Sequence, residues 1–266
     1  MNPLDRTTPP VSGAAERPVL QVEQWEEAGV ARALGTTWEG RRERRRWSNE
    51  RYRMALILQK NLRPGMEVVD VGCGPGFYIS RYLASVGSQH TYLVDQSKQM
   101  LEYCRGRHPE LRPENLVQGS IHQLPFPDGR FDAVVNCDVL MHIPHYRKAL
   151  AELYRICNPE GGRVFLRINL TDGATYGDLP APENPDPNYI YWIAYGRAEF
   201  GESLRECCPG PLTIIDRICR KPLKRGGSSF VASAAIAVVT RGEPRHRLRC
   251  GTHLGHLFSK MVTLGH

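Results

Sequence analysis

The sequence predicts an α/β domain whose central sheet is mostly parallel and contains seven strands, with helices on both faces. Two observations support this prediction. From about residue 66 onward, short apolar runs alternate with helical stretches, which is the order that a parallel sheet covered by helices requires. The chain has 266 residues and 41% hydrophobic residues, which is sufficient for one large domain with a proper core.

The predicted elements follow one another in a regular order up to residue 168. The strands are short apolar runs over residues 67–71, 90–94, 115–118, 131–136 and 162–168. The intervening helices are predicted over residues 77–86, 97–107 and 146–156. Beyond this point an irregular stretch rich in Pro, Gly and Asp precedes a helix over 189–208, and two closing strands follow over 212–219 and 230–240.

The flanks are predicted to differ from this core. Residues 1–18 are rich in Pro, Thr, Ser and Gly and are expected to be disordered, and residues 19–62 are expected to form a helical lid. The core domain is expected to span residues 63–241, with a cap inserted at about 172–208. Residues 242–266 show no clear period and are interpreted as a basic, mostly disordered tail or a short appended helix.

The formal net charge of +7 raises the question of an acidic partner. The excess is concentrated in the arginines from Arg41 to Arg53 and from Arg241 to Arg249, and charge in a flank and a tail is more typical of solvated surface than of a nucleic-acid site. No long apolar run and no N-terminal signal pattern is visible, so we expect a cytoplasmic protein without a membrane partner. The eight cysteines are accordingly expected to be reduced thiols.

The segment VVDVGCGPG, from Val68 to Gly76, is the central chemical signal. A strand that ends in Gly-x-Gly-x-Gly and opens a helix lets the backbone approach a ligand closely, because glycine has no Cβ. The third glycine comes one residue earlier than in a dinucleotide fingerprint. Asp70 would repel a pyrophosphate but can bind a cationic amino group. The pattern therefore favours a ligand that combines adenosine with an amino acid.

Asp95 ends the second predicted strand, nineteen residues after Gly76. A carboxylate at this position can accept hydrogen bonds from both hydroxyls of a ribose. Asp95 and Ser97 both precede a helix, so an N-cap role is the alternative interpretation. The two roles are compatible.

Four segments together resemble the class I S-adenosylmethionine-dependent methyltransferases, small-molecule group, over about residues 66–167. They are VVDVGCGPG, LVDQSKQML, GSIHQLPFPDGRFDAVV and VLMHIPHYRKALAELYRICNPEGG. The resemblance implies a Rossmann-like fold with an N-terminal helical lid and an inserted cap. It implies S-adenosyl-L-methionine as the cofactor and methyl transfer to an O, N or C atom of a small, aromatic metabolite, in secondary metabolism by analogy.

The resemblance also implies contacts to each part of the cofactor. Three glycines, Gly72, Gly74 and Gly76, would line the methionine part, with Asp70 serving its amino group. Asp95 would hold the ribose. The residues that would border the adenine are Gln96, Met100, Ser120 and Ile121. The residues that would face the reacting sulfonium are Asn136 and Cys137. The family often has Asp where this chain has Ser120, whose hydroxyl would accept more weakly.

Residues of the flanks and of the loop after the fourth strand are candidates for the acceptor site. The aromatic candidates are Trp47, Tyr52, Tyr189, Trp192 and Tyr195. They would either cover an apolar, ring-bearing acceptor or pack the lid against the core. His142 is the leading candidate for a general base, with His145 as its rival. A purely positional role is the alternative, because alignment of the nucleophile alone accelerates methyl transfer.

Two other functions stay open from the sequence. An RNA or protein methyltransferase would use the Arg41–Arg53 run and bind in a salt-sensitive way. A non-methylating protein or cyclase would bind the same cofactor and use its sulfonium without consuming it. No metal is expected: the acidic pairs of a metal-dependent catechol site are not evident, and the ligand types from Cys250 to His256 lack the second half of a zinc site. The oligomeric state and the acceptor are not determined by the sequence.

Overall fold

The computed structural model describes residues 48–143, 146–173, 175–177, 193–215, 220–225, 228–243, 248 and 261–263. Several predicted features lie outside these residues. They include the disordered start over 1–18, the first part of the lid with Trp47, His145, and most of the cap with Tyr189 and Trp192.

Five parallel strands form the centre of the sheet. They are β1 Val68–Val71, β2 Thr91–Asp95, β3 Leu116–Gln118, β4 Ala133–Cys137 and β5 Arg163–Thr171. Their spatial order is β3-β2-β1-β4-β5, and each neighbouring pair runs parallel. The winding direction changes between β1 and β4. In open α/β sheets the carboxyl ends of the strands border a ligand crevice at such a point.

Helices cover both faces of this sheet. They are α1 Ser48–Asn61, α2 Ile79–Val86, α3 Lys98–Arg107, α4 Tyr146–Ile156 and α5 Arg197–Cys207. Side chains alternate between the two faces along a strand. Val68 and Phe165 therefore pack in an apolar cluster with α1 and α2. Val69 and Val164 pack in the larger cluster with α4 and α5. None of the helices in the described part of the chain is both long and apolar enough to cross a membrane.

The described residues form eleven strands, where the sequence predicted seven. The further strands are β6 Tyr176–Gly177, β7 Ile193–Gly196, β8 Leu212–Ile215, β9 Arg220–Arg225, β10 Ser228–Thr240 and β11 Met261–Thr263. The long strand β10 is antiparallel to β5 on one side and to β8 on the other. The central sheet is thus parallel as predicted, and its extension beyond β5 is antiparallel except for the short strand β7.

Two predicted elements differ from the structure. The helix predicted over 189–208 begins only at Arg197, because Ile193–Gly196 forms a strand that pairs with the end of β5. The terminal segment contributes the strand Met261–Thr263, which pairs with β8, where a disordered tail or a helix was expected. Both are short strands whose existence depends on a partner strand distant in sequence, and strand formation is strongly dependent on such context.

Arg155 on α4 binds the loop that precedes β4. Its guanidinium donates to the carbonyl oxygens of Leu124 (3.0 Å) and Phe126 (2.8 Å), and to the carboxylates of Glu152 and Asp128. Glu152 in turn accepts from the backbone N–H of Leu124 (2.8 Å). This network holds the segment after β3 against α4, and so positions one border of the crevice.

We expect Arg155→Met to lower the free energy of unfolding by about 2 kcal/mol, because two carbonyl oxygens and two carboxylates lose their donor. Urea unfolding followed by circular dichroism measures the change. The matched control is Arg147→Met on the same helix, where the ion pair with Glu206 is exposed and contributes little. Equal losses in the two variants would show that the network does not stabilise the fold.

Candidate active site

The loop between β1 and α2 is anchored to β2 by its backbone. The N–H groups of Gly72 and Cys73 both donate to the carbonyl oxygen of Val94, at 2.7 and 3.1 Å. A Cβ on Gly72 would lie 2.4 Å from Cγ2 of Val139, so only glycine allows the turn after β4 to pack here. Gly74 has a φ of 50°, and a Cβ on it would meet nothing within 4 Å. The loop therefore packs tightly against Val139 at Gly72, whereas a side chain on Gly74 would have room.

Asp95 ties this loop to the end of β2. One carboxylate oxygen accepts from the backbone N–H of Gly74 (2.8 Å), and the other accepts from the N–H of Ser97 (2.9 Å). The N-cap of α3 is Ser97, whose hydroxyl oxygen accepts from the N–H of Met100 (3.2 Å). The capping role that the sequence left open thus belongs to Ser97. A carboxylate oxygen can accept more than one hydrogen bond, and contact of Asp95 with the hydroxyls of a ribose stays a prediction.

Asp70 is a buried carboxyl in the middle of the sheet. Its side chain is 2% exposed, and it accepts a hydrogen bond from the hydroxyl of Tyr82 on α2 (2.8 Å). Burial raises the pKa of Asp70 to about 7, and the nearby charge of Asp95 adds to this shift, while the Tyr82 hydrogen bond opposes it. Near neutral pH the group therefore exchanges between its neutral and charged forms. A cation placed beside it would favour the charged form.

The residues expected to border an adenine come together after β2 and β3. Met100 and Ile121 are buried, and Gln96 accepts through its backbone carbonyl from the side-chain amide of Gln118 (2.9 Å). Ser120 accepts through its hydroxyl from the N–H of His122 (3.3 Å). The positions share one edge of the sheet, and their contact with an adenine stays a prediction.

Asn136 and Cys137 end β4 beside the glycine loop. Asn136 is buried and donates through its side-chain amide to the carbonyl oxygen of Val71 (2.8 Å). This bond joins the carboxyl ends of β1 and β4. Cys137 is partly exposed and lies against the apolar cluster beneath α1 and α2. Their orientation towards a sulfonium stays a prediction.

His142 lies on a short 3-10 turn, Leu140–His142, directly after β4, and is partly exposed. The hydroxyl of Tyr195 lies within hydrogen-bonding distance of the carbonyl oxygens of Leu140 (2.6 Å) and Ile143 (2.8 Å), on both sides of His142. Tyr195 therefore holds the turn that carries the candidate base.

Tyr195 was predicted to cover the acceptor or to pack the lid, and the structure places its side chain in the interior. Its side chain is 1% exposed, and its ring packs against those of Tyr146 and Phe200. The ring is enclosed between α4 and α5, and its contact with an acceptor stays a prediction. Tyr52 on α1, the other described aromatic candidate, is 52% exposed.

Two charged residues, one directly after β4 and the other in the middle of β5, were not selected from the sequence. Asp138 follows β4 in a left-handed conformation with a φ of 63°, which is uncommon for a residue with a side chain. Its carboxylate forms an ion pair with Arg167 of β5, and its N–H donates to the carbonyl oxygen of Arg167 (3.1 Å). The available signal was an arginine flanked by Leu166 and Ile168 within a predicted buried strand, since a buried charge requires a partner.

Among the described residues, no group of three or more His, Cys, Asp or Glu side chains is arranged to hold a metal ion. The ionisable groups at the crevice are instead single carboxyls with protein partners, as with Asp70 and Tyr82 or Asp138 and Arg167.

The chain is similar to known proteins in family, in sequence and in structure. Residues 69–165 match the methyltransferase domain family. The solved structure of the 1,6-didemethyltoxoflavin-N1-methyltransferase from Burkholderia thailandensis contains 1,6-didemethyltoxoflavin and S-adenosylhomocysteine. It is similar with a TM-score of 0.55 and 19% identity, over 88% of this chain and 94% of that chain. This similarity shows the fold, which is the Rossmann-like α/β sheet that the sequence predicted.

Curated relatives extend the similarity to sequence. A fatty-acid O-methyltransferase from Mycolicibacterium smegmatis is 35% identical over 44% of this chain, and demethylmenaquinone methyltransferase from Staphylococcus aureus is 32% identical over 44%. The matches span only 40% and 49% of the lengths of these two relatives. The ubiquinone/menaquinone biosynthesis C-methyltransferase of Brucella anthropi is 36% identical, over 70% of this chain and 69% of that protein. The chain therefore belongs to the class I S-adenosylmethionine-dependent methyltransferases.

Proposed function

We propose that this protein transfers a methyl group from S-adenosylmethionine to an oxygen, nitrogen or carbon atom of a small molecule. The observation that carries the proposal is the placement of two carboxyls beside one glycine loop, one on β1 and the other at the end of β2. Asp95 accepts from Gly74 at the end of β2, and Asp70 lies buried at the start of the same loop on β1. The family supplies the cofactor, and this loop is the part of the chain that would hold it.

The residues present fit the chemical groups of this cofactor. Asp70 is a buried carboxyl with one neutral hydrogen-bond donor, so an ammonium group would compensate the charge that burial disfavours. Gly74 leaves open space beside the loop, and the lone pairs of Asp95 suit the hydroxyls of a ribose. When bound, the cofactor supplies a methyl group on a positively charged sulfur, which is a strong electrophile for a lone pair of the acceptor.

The chain's own contribution would be to bind, align and exclude water. Asn136 joins the ends of β1 and β4, and Tyr195 holds the turn with His142 at the same edge of the sheet. A fixed edge of this kind aligns an acceptor with the loop, and alignment supplies much of the acceleration. His142 is proposed as the general base for acceptors that must lose a proton.

The acceptor is proposed to be a small metabolite with an aromatic or apolar body, in secondary metabolism. The names of the relatives refer to quinone biosynthesis and to a fatty acid, both of which combine an apolar body with a polar reactive group. The exposed ring of Tyr52 on α1, together with the predicted lid and cap aromatics, supports an apolar cover over the acceptor. Small-molecule relatives favour this reading over an RNA or protein acceptor.

The first test of the cofactor is calorimetric titration of the full chain with S-adenosylmethionine and S-adenosylhomocysteine. We expect binding of both in the micromolar range, and a loss of about 100-fold in affinity for Asp95→Ala, because two charge-assisted hydrogen bonds disappear. Failure of the wild-type chain to bind either compound would refute the proposal.

Two further variants separate the ribose contact from a disturbed loop. Asp95→Asn keeps an amide oxygen that can accept from Gly74, so we expect an intermediate loss of affinity. Glu102→Ala removes an exposed carboxyl from neighbouring α3 and is expected to leave the affinity unchanged. An equal loss in Asp95→Asn and Asp95→Ala, with an unchanged Glu102→Ala, would assign the whole effect to the charge of Asp95.

The raised pKa of Asp70 predicts a pH-dependent affinity. The charged form binds an ammonium group, and it becomes populated as the pH rises through about 7. The dissociation constant for S-adenosylhomocysteine should therefore fall from pH 5 to pH 7 and then level off, with proton release on binding at pH 6. Titrations in buffers of different ionisation enthalpy measure the released proton.

Tyr82→Phe and Asp70→Asn are the diagnostic variants for this effect. The Tyr82 hydroxyl lowers the pKa of Asp70, so its removal should move the midpoint of the pH dependence to a higher pH. Asp70→Asn should bind more weakly and release no proton. A pH dependence that survives in Asp70→Asn would place the titrating group elsewhere.

A further inference from the structure

Asp138 lies where the cofactor loop and the predicted acceptor mouth meet. The next residue, Val139, packs directly on Gly72, as the 2.4 Å approach of its Cγ2 to a hypothetical Cβ shows. The turn Leu140–His142 with the candidate base follows at once. Asp138 is thus confined between the glycine loop on one side and the base-bearing turn on the other.

The conformation of Asp138 is held by one residue of the neighbouring strand. Cys137 of β4 and Arg167 of β5 are partners in the parallel pairing. The backbone carbonyl oxygen of Arg167 accepts from the N–H of Asp138, and the guanidinium of Arg167 pairs with the carboxylate of Asp138. A left-handed aspartate is energetically unfavourable, and residues in such conformations persist where the surroundings over-determine them, often at ligand sites.

The two partners differ sharply in accessibility. The side chain of Arg167 is 2% exposed, whereas that of Asp138 is 25% exposed. Of the two charged groups, the carboxylate is therefore the one that a molecule at this edge of the sheet can reach. Arg167 neutralises this group from below and orients it, but does not present its own positive charge to the crevice.

We propose that Asp138 contacts the methyl acceptor and selects acceptors whose reacting atom carries a hydrogen, such as a phenol, an alcohol or an amine. This inference rests on the proposed function and specifies its substrate class. An O–H or N–H donates to the carboxylate of Asp138, which points a lone pair of the same atom away from Asp138 for bond formation. An acceptor with a carboxylate is disfavoured, because two negative charges would face one another.

The atoms balance for such an acceptor. The overall reaction converts X–H and S-adenosylmethionine into X–CH3, S-adenosylhomocysteine and one proton. The reacting atom becomes strongly acidic as it gains the methyl group, so its proton passes first to an oxygen of Asp138. His142, on the turn that follows, then carries it to solvent. The charge of Asp138 is restored by this release, and Arg167 keeps the carboxylate in place throughout.

The test measures binding of matched probes to the full chain saturated with S-adenosylhomocysteine. The pairs are 4-butylphenol with 4-butylbenzoate, and octan-1-ol with octanoate, each titrated by ligand-observed NMR. The wild-type protein is expected to bind the neutral member of each pair about tenfold more tightly than the carboxylate. Methyl transfer from S-adenosylmethionine to 4-butylphenol, followed as S-adenosylhomocysteine formed, gives a second readout.

Asp138→Asn provides a readout that a purely structural role would not produce. Asparagine tolerates the left-handed conformation, and its amide oxygen can still accept from the Arg167 guanidinium. The variant is therefore expected to fold and to bind S-adenosylhomocysteine within about threefold of the wild type. Removal of the negative charge leaves Arg167 uncompensated. Carboxylate probes should therefore bind about tenfold more tightly and neutral probes more weakly, so that the preference reverses. The matched control, Glu114→Gln, changes an exposed carboxyl that precedes β3 and should leave the preference as it is.

The outcomes separate the two proposals. A wild-type chain that binds S-adenosylhomocysteine but prefers the carboxylate probes, or binds none of the four, overturns the role of Asp138 and leaves the proposed function standing. The same holds if both members of each pair weaken together in Asp138→Asn. A wild-type chain that does not bind S-adenosylhomocysteine removes the proposed function, and this inference with it.

Discussion

The close approach of the turn after β4 to Gly72 is the constraint on which the arrangement of the crevice depends. Val139 occupies the space that a Cβ at Gly72 would need, and the side-chain amide of Asn136 reaches the carbonyl oxygen of Val71 beside it. These two contacts join the carboxyl ends of β1 and β4, where the winding of the sheet changes direction. The glycine loop, Asp138 and the turn with His142 are thereby brought to one edge.

Electrostatics at this edge follow from how each buried charge is compensated. Asp70 has a neutral hydroxyl as its side-chain partner among the described residues, so burial dominates and its pKa rises to about 7. Arg167 has a carboxylate partner, so its charge is retained at a depth where an unpaired guanidinium would be strongly destabilising. The first group suits a ligand that brings a positive charge, and the second leaves a partly exposed carboxylate facing the crevice. Asp70 thus suits the proposed cofactor, and Asp138 suits the proposed acceptor of the same reaction.

Local patterns predicted much of the fold, because the relevant signals are short in range. The apolar runs of β1 to β5 and the helices between them were predicted to within a few residues, since alternation and helical spacing report burial directly. Strands were also predicted over 212–219 and 230–240, where β8 and β10 lie, but the short strands β7 and β11 were not predicted. Ile193–Gly196 and Met261–Thr263 are strands because β5 and β8 offer them free edges, and their own residues carry no distinct pattern. Tyr195 was predicted to contact the acceptor or to pack the lid. Its hydroxyl lies within hydrogen-bonding distance of the backbone of the turn that carries His142, a contact that local sequence does not indicate.

The sequence by itself determined the family, the glycine loop and the positions of Asp70 and Asp95, because their spacing along the chain encodes a strand, a tight turn and a helix start. Only the tertiary structure decided that Ser97 and not Asp95 caps α3, that Asp70 is buried enough to titrate near neutrality, and that Asp138 is held by Arg167. The physical reason is the range of the interactions. Burial, pKa and ion pairing depend on residues that meet only when distant strands align.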